Sequence, residues 1–324
     1  MKIIVTGGSG FIGSHFIERS INKKIVKKLL NIDKLTYASS NYINKRFLNN
    51  KKYYFKKIDI KNNQIKNIFK DFKPTHLINF AAETHVDNSI NSADVFIKTN
   101  IYGTFNLLKI SKEYSKKNPN FKFLHVSTDE VFGSLKVNEK KFTETNNLKP
   151  NSPYSASKAS SDLLARSYHK TFNLPLIITN CSNNYGPRQN KEKLIPLVIN
   201  NILKKKSIPV YGDGKNIRDW IHVYDHVDAL FTILKHGKSG QTYNIGGECE
   251  MSNINIIKKI CRKINKYNSD KNFKSENLIK FVEDRKGHDF RYAISNKKIF
   301  KELKWKPRIN FEDGLSETIE SYVI

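Results

Sequence analysis

Short apolar runs alternate with helical patterns through the first half of the chain, the order expected of a parallel sheet flanked by helices. The runs predict strands at 2–6 (KIIVT), 29–33 (LLNID), 53–59 (YYFKKID), 76–82 (HLINFAA), 122–127 (KFLHVS) and 176–180 (LIITN). Between the last two, Leu164, Tyr168 and Phe172 recur every four residues, which predicts one face of a helix over 154–172. A second long helix is expected from Asp94 to Lys117. Beyond Asn180, Pro, Gly and Asn punctuate shorter elements, as in a smaller domain that covers a substrate. The chain thus reads as an α/β protein, with a doubly wound parallel sheet over 1–182 and a smaller α/β substrate-binding domain over 183–324. Some later segments are expected to return to the sheet. The lysine-rich stretch near 264–277 reads as a solvated loop or helix end, and no internal repeat is evident.

The loop after the first strand gives this fold a ligand. TGGSGFIGSH spaces Gly7, Gly10 and Gly13 three apart, directly before a helical segment. Glycines there permit a tight turn, close approach of backbone to a pyrophosphate and close packing of helix on sheet. The helix N-terminus then offers free N–H groups to the anion. An acid ends the next strand: Asp33, suited to an adenosine ribose, which favours NAD over NADP because a 2′-phosphate would be repelled. Lys34 weakens that exclusion slightly. Asp59 is a candidate for the adenine edge, with a strand-end cap as the competing reading. This part of the fold is therefore expected to be of Rossmann type.

Composition excludes more than it adds. No run of about 18 apolar residues could cross a bilayer, and glycines interrupt MKIIVTGGSGFIGSHF before a signal-peptide core could form. Cys181, Cys249 and Cys261 are odd in number and far apart, so neither a disulfide framework nor a metal site is expected and a cytoplasmic compartment fits. Lys and Arg total 57 against 30 acids, a formal charge of +27. That charge invites a nucleic-acid reading, but the lysines are scattered and no basic helix or zinc-finger spacing concentrates them. Neither nucleic acid nor membrane is expected as a partner. Positive potential instead suits an anionic nucleotide substrate.

Two further patterns carry chemistry. Tyr154 and Lys158 lie four apart in YSASK and share a helix face. A phenol of reference pKa about 10 needs a neighbouring ammonium to act as a base near neutrality. In HVSTDEVFG, Asp129 and Glu130 stand side by side after an apolar run. A turn or cap accounts for the first acid and leaves the second idle.

Taken with TGGSGFIG and YSASK, the segments AAETHVDNSI, STDEVFG, SPYSASKASSD, TNCSNNYGP, EKLIPLVI, GKNIRDWIHVYDH, TYNIGG and DRKGHDFRYAI occur in order from residue 1 to about 320. They resemble the extended short-chain dehydrogenase/reductase family, in its branch that dehydrates nucleotide sugars at C4 and C6. The resemblance implies conversion of dTDP-glucose to dTDP-4-keto-6-deoxyglucose with NAD as a recycled cofactor, in a homodimer paired through the helices 94–117 and 154–172. It implies NAD contacts at Phe11, Ile12, Asp33, Thr36, Asp59, Ile60, Ala81 and Thr99, with Tyr154, Lys158 and Asn183 nearer the nicotinamide. Substrate contacts carry over to Thr84, Thr128, Asn184, Lys193, Leu194, Pro209, Tyr211, Arg218, Asn253, Arg285 and His288. It assigns Tyr154 the O4 proton with Thr128 beside that oxygen, Glu130 the C5 proton and Asp129 the proton given to the departing C6 hydroxyl. Arg218, Arg285 and His288 suit a diphosphate clamp, and Tyr211 a base stack; Arg218 with Asp219 also reads as an ion pair.

The same scaffold serves a 4-epimerase, or a dehydratase acting on UDP- or CDP-glucose, and a silent NAD-sensing or nucleic-acid-binding protein keeps only the fold. The adjacent acids favour dehydration. Phe132 stands where the branch usually has Tyr, Lys286 where Pro is common and Phe290 where Arg is usual, and the chain stops at Ile324, earlier than many relatives. These departures are expected to touch local packing and the C-terminal surface.

Overall fold

The computed structural model describes residues 1–267 and 272–323. Seven parallel strands form the central sheet: β1 (Lys2–Thr6), β2 (Lys28–Asp33), β3 (Tyr53–Lys57), β4 (His76–Asn79), β5 (Lys122–Thr128), β6 (Leu176–Cys181) and β10 (Thr242–Ile245). Three further strands, β7 (Asn183–Tyr185), β8 (Ile208–Tyr211) and β9 (Ile217–His222), precede β10 in the chain, and β11 (Glu250–Ser252) and β12 (Ile279–Val282) follow it.

The spatial order is β10-β6-β5-β4-β1-β2-β3. The direction of winding reverses between β1 and β4, which opens a crevice at their carboxyl ends. Both faces of the sheet are covered, so successive residues of a strand enter different cores. Ile3 and Val5 join one core while Ile4 joins the other. The first core includes residues from well beyond 182, among them Val227, Leu230, Tyr243 and Trp305. Phe16 of the helix Phe11–Ile21 stacks on Phe231 of the helix Val223–His236 at 4.6 Å between ring centroids. Truncating such a fully buried Phe to Ala costs about 3–5 kcal/mol.

A separate core, with Tyr185, Ile199, Trp220, Ile257 and Leu315, lies under the three-stranded sheet β11-β9-β7 and the pair β12-β8. β10, although late in the chain, pairs in parallel with β6 of the main sheet. β3 and β4 end earlier than the apolar runs, at Lys57 and Asn79, because Asp59, Ile60, Phe80 and Ala81 turn to line the crevice.

The expected helix over 94–117 is continuous in winding but not in type. It starts as a short α-turn (Asp94–Phe96), becomes π-helical over Ile97–Gly103 and resumes as an α-helix over Thr104–Ser115. At its centre the buried Asn100 side chain donates to Glu83 O and Ser157 Oγ and accepts from Glu83 N. Such π-turns collect at functional sites, and Thr99 beside it lines the crevice. The helix Pro153–Phe172 opens on a capping box between Ser152 and Ser155, with Pro153 in its first turn. Within 264–277 the described residues form the end of the helix Asn253–Tyr267 and a 3₁₀ turn at Ser275–Leu278, while 268–271 lie outside the described residues.

Candidate functional site

One elongated cavity runs along the carboxyl ends of β1, β2, β4, β5 and β6. At one end is the glycine loop. Gly7 has φ +70°, and a Cβ there would lie 2.6 Å from Ala81 N; at Gly13 it would lie 2.4 Å from Gly7 O. Both glycines are therefore required by the close approach of backbone to backbone. Gly10 differs: an added Cβ would meet only Gly7 O, at 3.2 Å, while the residue itself borders the cavity. What glycine leaves open there is room for a ligand. The following turn, with Phe11, Ile12 and Gly13, carries no acidic side chain to compete with an anion for its free N–H groups.

Asp33 sits beside this loop and accepts hydrogen bonds from Ser9 N (2.9 Å), Leu35 N (2.8 Å) and Ser39 Oγ (3.1 Å). A carboxylate offers about four acceptor positions, so capacity for a ribose hydroxyl remains. The Lys34 ammonium lies 3.5 Å from Asp59 and so is turned to that acid rather than to Asp33. Asp59 also accepts from Lys61 N, so it both ends its strand in a turn and borders the cavity. Thr36, Ile60, Ala81, Thr99 and Asn183 complete this wall. The donor-rich glycine turn and the acceptor at Asp33 together fit a dinucleotide.

At the other end stand the paired acids. Thr128 is the last residue of β5, and its Oγ1 accepts from Glu130 N at 3.3 Å, capping the 3₁₀ turn Asp129–Phe132. The cap is thus Thr128, and neither acid is spent on it. Asp129 is buried, takes one hydrogen bond from Thr128 Oγ1 (3.3 Å), and leaves Oδ2 without a partner. Burial raises its pKa well above the usual carboxyl range, and Glu130 and Asp219 push the same way. Glu130 is also raised by burial, but Lys193, Arg218 and Arg285 oppose the shift. The environments of the two carboxyls therefore differ in the sense needed for one acid and one base.

Tyr154 and Lys158 face the same cavity. Burial raises the Tyr154 pKa well above that of a free phenol, with Glu130, Cys181 and Asp129 adding to the shift and a hydrogen bond to Thr128 opposing it. The Lys158 ammonium donates to Val126 O at 2.9 Å. The expected lowering of the phenol by Lys158 is thus not seen among the protein's own groups, where burial dominates and Lys158 is not among the main influences. Burial lowers the Lys158 pKa in turn, and Asp162 opposes this. Asp162 lies 3.2 Å from His125 and accepts from Asn180, which also donates to Thr128 O.

The substrate candidates divide. Thr84, Thr128, Asn184 and Lys193 line the cavity, with Lys193 Nζ donating to Thr84 O at 2.8 Å. A second cluster gathers Tyr211, Arg285 and His288. The Arg285 guanidinium lies 5.0 Å from the Tyr211 ring centre and pairs with Asp87 at 2.6 Å, while His288 meets the ring edge-on and bonds Asp284. Arg218 donates to Asp289 O and Ile217 O and lies 4.3 Å over Tyr292. The Asp219 carboxylate instead accepts from Gly247 N and Cys249 N, because neighbours on β9 point to opposite sides; the ion-pair reading of Arg218 fails. Leu194, Pro209 and Asn253 do not border the cavity: Leu194 opens the helix Leu194–Leu203, Pro209 sits in β8, and Asn253 N bonds Asn216 O.

Glu83, Cys181, Gln189, Asn190 and Glu192 also line the cavity and were not singled out from the sequence. Asp87, partner of Arg285, was missed as well, although it lies within the AAETHVDNSI segment. Among the described residues no group of three or more metal-ligating side chains occurs, and no helix is long and apolar enough to cross a membrane.

The family model described as GDP-mannose 4,6 dehydratase matches residues 4–318. A dTDP-glucose 4,6-dehydratase of Haemophilus influenzae is 48% identical, over 100% of this chain and 98% of its own length. One from Escherichia coli is 46% identical over 100% and 94%. The dTDP-glucose 4,6-dehydratase of Bacillus anthracis, solved in complex with NAD, superposes with a TM-score of 0.87 at 43% identity, covering 99% of this chain and 96% of that one. DesIV of Streptomyces venezuelae, a dTDP-glucose 4,6-dehydratase solved with NAD and dTDP, gives 0.91 at 38% identity over 99% and 97%. With the family model and its relatives matched nearly end to end, the chain belongs to the GDP-mannose 4,6 dehydratase family, on its dTDP-glucose 4,6-dehydratase branch.

Proposed function

We propose that this protein is an NAD-dependent hydro-lyase that converts dTDP-glucose to dTDP-4-keto-6-deoxyglucose and water. The observation that carries the reading is the pair Asp129–Glu130 beside Tyr154 in one cavity, with the first carboxyl buried and the second set among three cations. A 4-epimerase needs the glycine loop, Tyr154 and Lys158 but has no use for two adjacent acids. NAD, held along the glycine loop and Asp33, would supply a cationic nicotinamide ring, the acceptor for the C4 hydride and, once reduced, the donor that returns this hydride to C6 as C5 regains a proton.

Burial holds the Tyr154 pKa up in the protein alone, so the phenolate depends on the cations of Lys158 and the nicotinamide; in that form Tyr154 takes the proton of the glucose O4 hydroxyl, and Thr128 steadies that oxygen. The C4 ketone acidifies the hydrogen on C5, and Glu130 removes it as carboxylate. Asp129, protonated by virtue of its burial, gives its proton to the departing C6 hydroxyl, so water leaves without a charged leaving group. Lys158 is the protein's own cation on the Tyr154 helix face. Residues 1–182 carry the cofactor and the reacting groups, and 183–324 mainly hold the nucleotide, with Tyr211, Arg285 and His288 on its base and diphosphate. The protein acts in the cytoplasm as a homodimer.

The test is to incubate purified protein with dTDP-glucose and follow the 4-keto product. Formation of that product with NAD retained supports the reading. Epimerised sugar, or product only from UDP- or CDP-glucose, would replace it.

A further inference from the structure

A second, smaller pocket adjoins the cavity beside the glycine loop, sharing Gly10, Phe11, Ala38, Ser39 and Asn190 with it and bounded by Tyr42 and Arg188. Three chain segments meet there: the helix Phe11–Ile21, the segment after β2 with Tyr42 in the helix Tyr42–Arg46, and the loop after β7. Arg188, on that last loop, touches the other two. Its Nη2 donates to Glu18 Oε2 at 2.7 Å and to His15 Nδ1 at 2.9 Å, and its guanidinium lies 4.8 Å from the Tyr42 ring centre.

The chemistry of the contact is consistent throughout. His15 Nε2 lies 2.8 Å from Pro187 O and donates to it, which leaves Nδ1 as the acceptor Arg188 needs. Glu18 is shared with Arg46, whose guanidinium also packs on the Tyr42 ring. Arg188 itself adopts φ +66°, a left-handed backbone that a non-glycine residue keeps only where its surroundings enforce it. The far side of the loop is held too, since Tyr322 donates to Gln189 O at 2.6 Å. Gln189, Asn190 and Glu192 of the same loop form cavity wall.

We propose that Arg188 is a latch that retains the dinucleotide: it fastens the loop 186–192, which walls both pockets, to Glu18, His15 and Tyr42, so NAD leaves only when this clasp opens. The inference rests on the dehydratase reading in one respect, because a cofactor reduced and reoxidised within a single turnover has no need to exchange. Arg188 is a positioning residue and touches no reacting atom.

The experiment loads the purified protein with NAD and follows its release against excess fluorescent NADH, with no sugar present, so a failed latch and a failed dehydratase assignment are told apart. Arg188→Ala is expected to speed release by about tenfold or more, the factor that one lost charge-assisted contact is worth. Arg188→Lys, which keeps the charge toward Glu18, is expected to fall between. Glu18→Gln, which leaves Arg188 in place, should also speed release while leaving the NAD-free melting midpoint unchanged. Release at the wild-type rate in both Arg188→Ala and Glu18→Gln would overturn the latch. So would faster release only in variants whose NAD-free protein melts earlier, since that would mark Arg188 as merely structural.

Discussion

Burial raises the Asp129 pKa well above the usual carboxyl range, and such a shift has a cost in stability. Its raised pKa means that the native state holds a proton which the unfolded chain releases above about pH 4. The unfolded state then binds fewer protons than the native state, so this residue's contribution to stability falls as pH rises from that point. Asn at 129 carries no such proton. Asp129→Asn is expected to melt at a higher temperature than the wild type, with a gap that is wider at about pH 8 than at about pH 5. A gap independent of pH would mean that Asp129 is already ionised in the native state. The same variant should lose about 10²–10⁴-fold in water elimination, the usual worth of a positioned general acid, while C4 oxidation stays visible as reduced cofactor. Glu130→Gln should instead abolish exchange of the C5 hydrogen with deuterated water, and undiminished exchange would remove Glu130 from that role. The two acids were legible in the sequence as a pair, because adjacency is a one-dimensional fact. Their different environments were not, since Lys193, Arg218 and Arg285 approach Glu130 from distant parts of the chain. Phe132 is now explained: it is buried, stacks on Phe142 at 5.3 Å and lies among Val131, Ala159 and Ile294, where a tyrosine hydroxyl would need a partner.

Among the elements, the glycine turn separates packing from binding within a few residues. Gly13→Ala would drive its Cβ into Gly7 O and is expected to destabilise the protein by about 1–3 kcal/mol. Gly10→Ala places its Cβ 3.2 Å from the same oxygen, a contact relieved by a shift of a few tenths of an ångström, so the NAD-free protein should melt near the wild-type temperature and still bind NAD more weakly by calorimetry. Equal loss of stability in both variants would show that Gly10 serves the turn and not a ligand. The inner strands of the main sheet were readable because apolar runs on both-face-buried strands are continuous, while the edge strand β3 buries chiefly Tyr53. Their ends were less so: HLINFAA stays apolar past Asn79, where pairing stops and cavity wall begins. Nothing in the spacing of 94–117 announced the π-turn, because it is set by Asn100 reaching Glu83 and Ser157, contacts remote in sequence. β10 escaped for a similar reason: a four-residue strand is specified by its partner β6 more than by its own pattern.

For the whole molecule, the surface away from the cavity carries its own signal. The helical stretch from Asp94 to Ser115 exposes Val95, Ile97 and Tyr102, and the helix Pro153–Phe172 exposes Leu163 and Phe172. The two helical stretches pack on each other within the protomer, as Phe105 against Tyr168 and Lys112 over Phe172 show. Large apolar side chains grouped on two neighbouring helices suit an isologous contact, in which a twofold axis sets each pair against its copy. The protein's net charge of +27 opposes association in general, so a dimer paired here would need apolar burial at this face to outweigh it. Leu163 is about half exposed, at 53%, so a charge there costs the free protomer little. In a dimer paired through this face the same charge would be desolvated without a partner. Leu163→Glu is therefore expected to sediment as a monomer where the wild type sediments as a dimer, and to melt earlier at low protein concentration because assembly no longer stabilises the fold. A Leu163→Glu protein that keeps the dimeric mass would move the interface elsewhere, and a monomeric wild type would remove it.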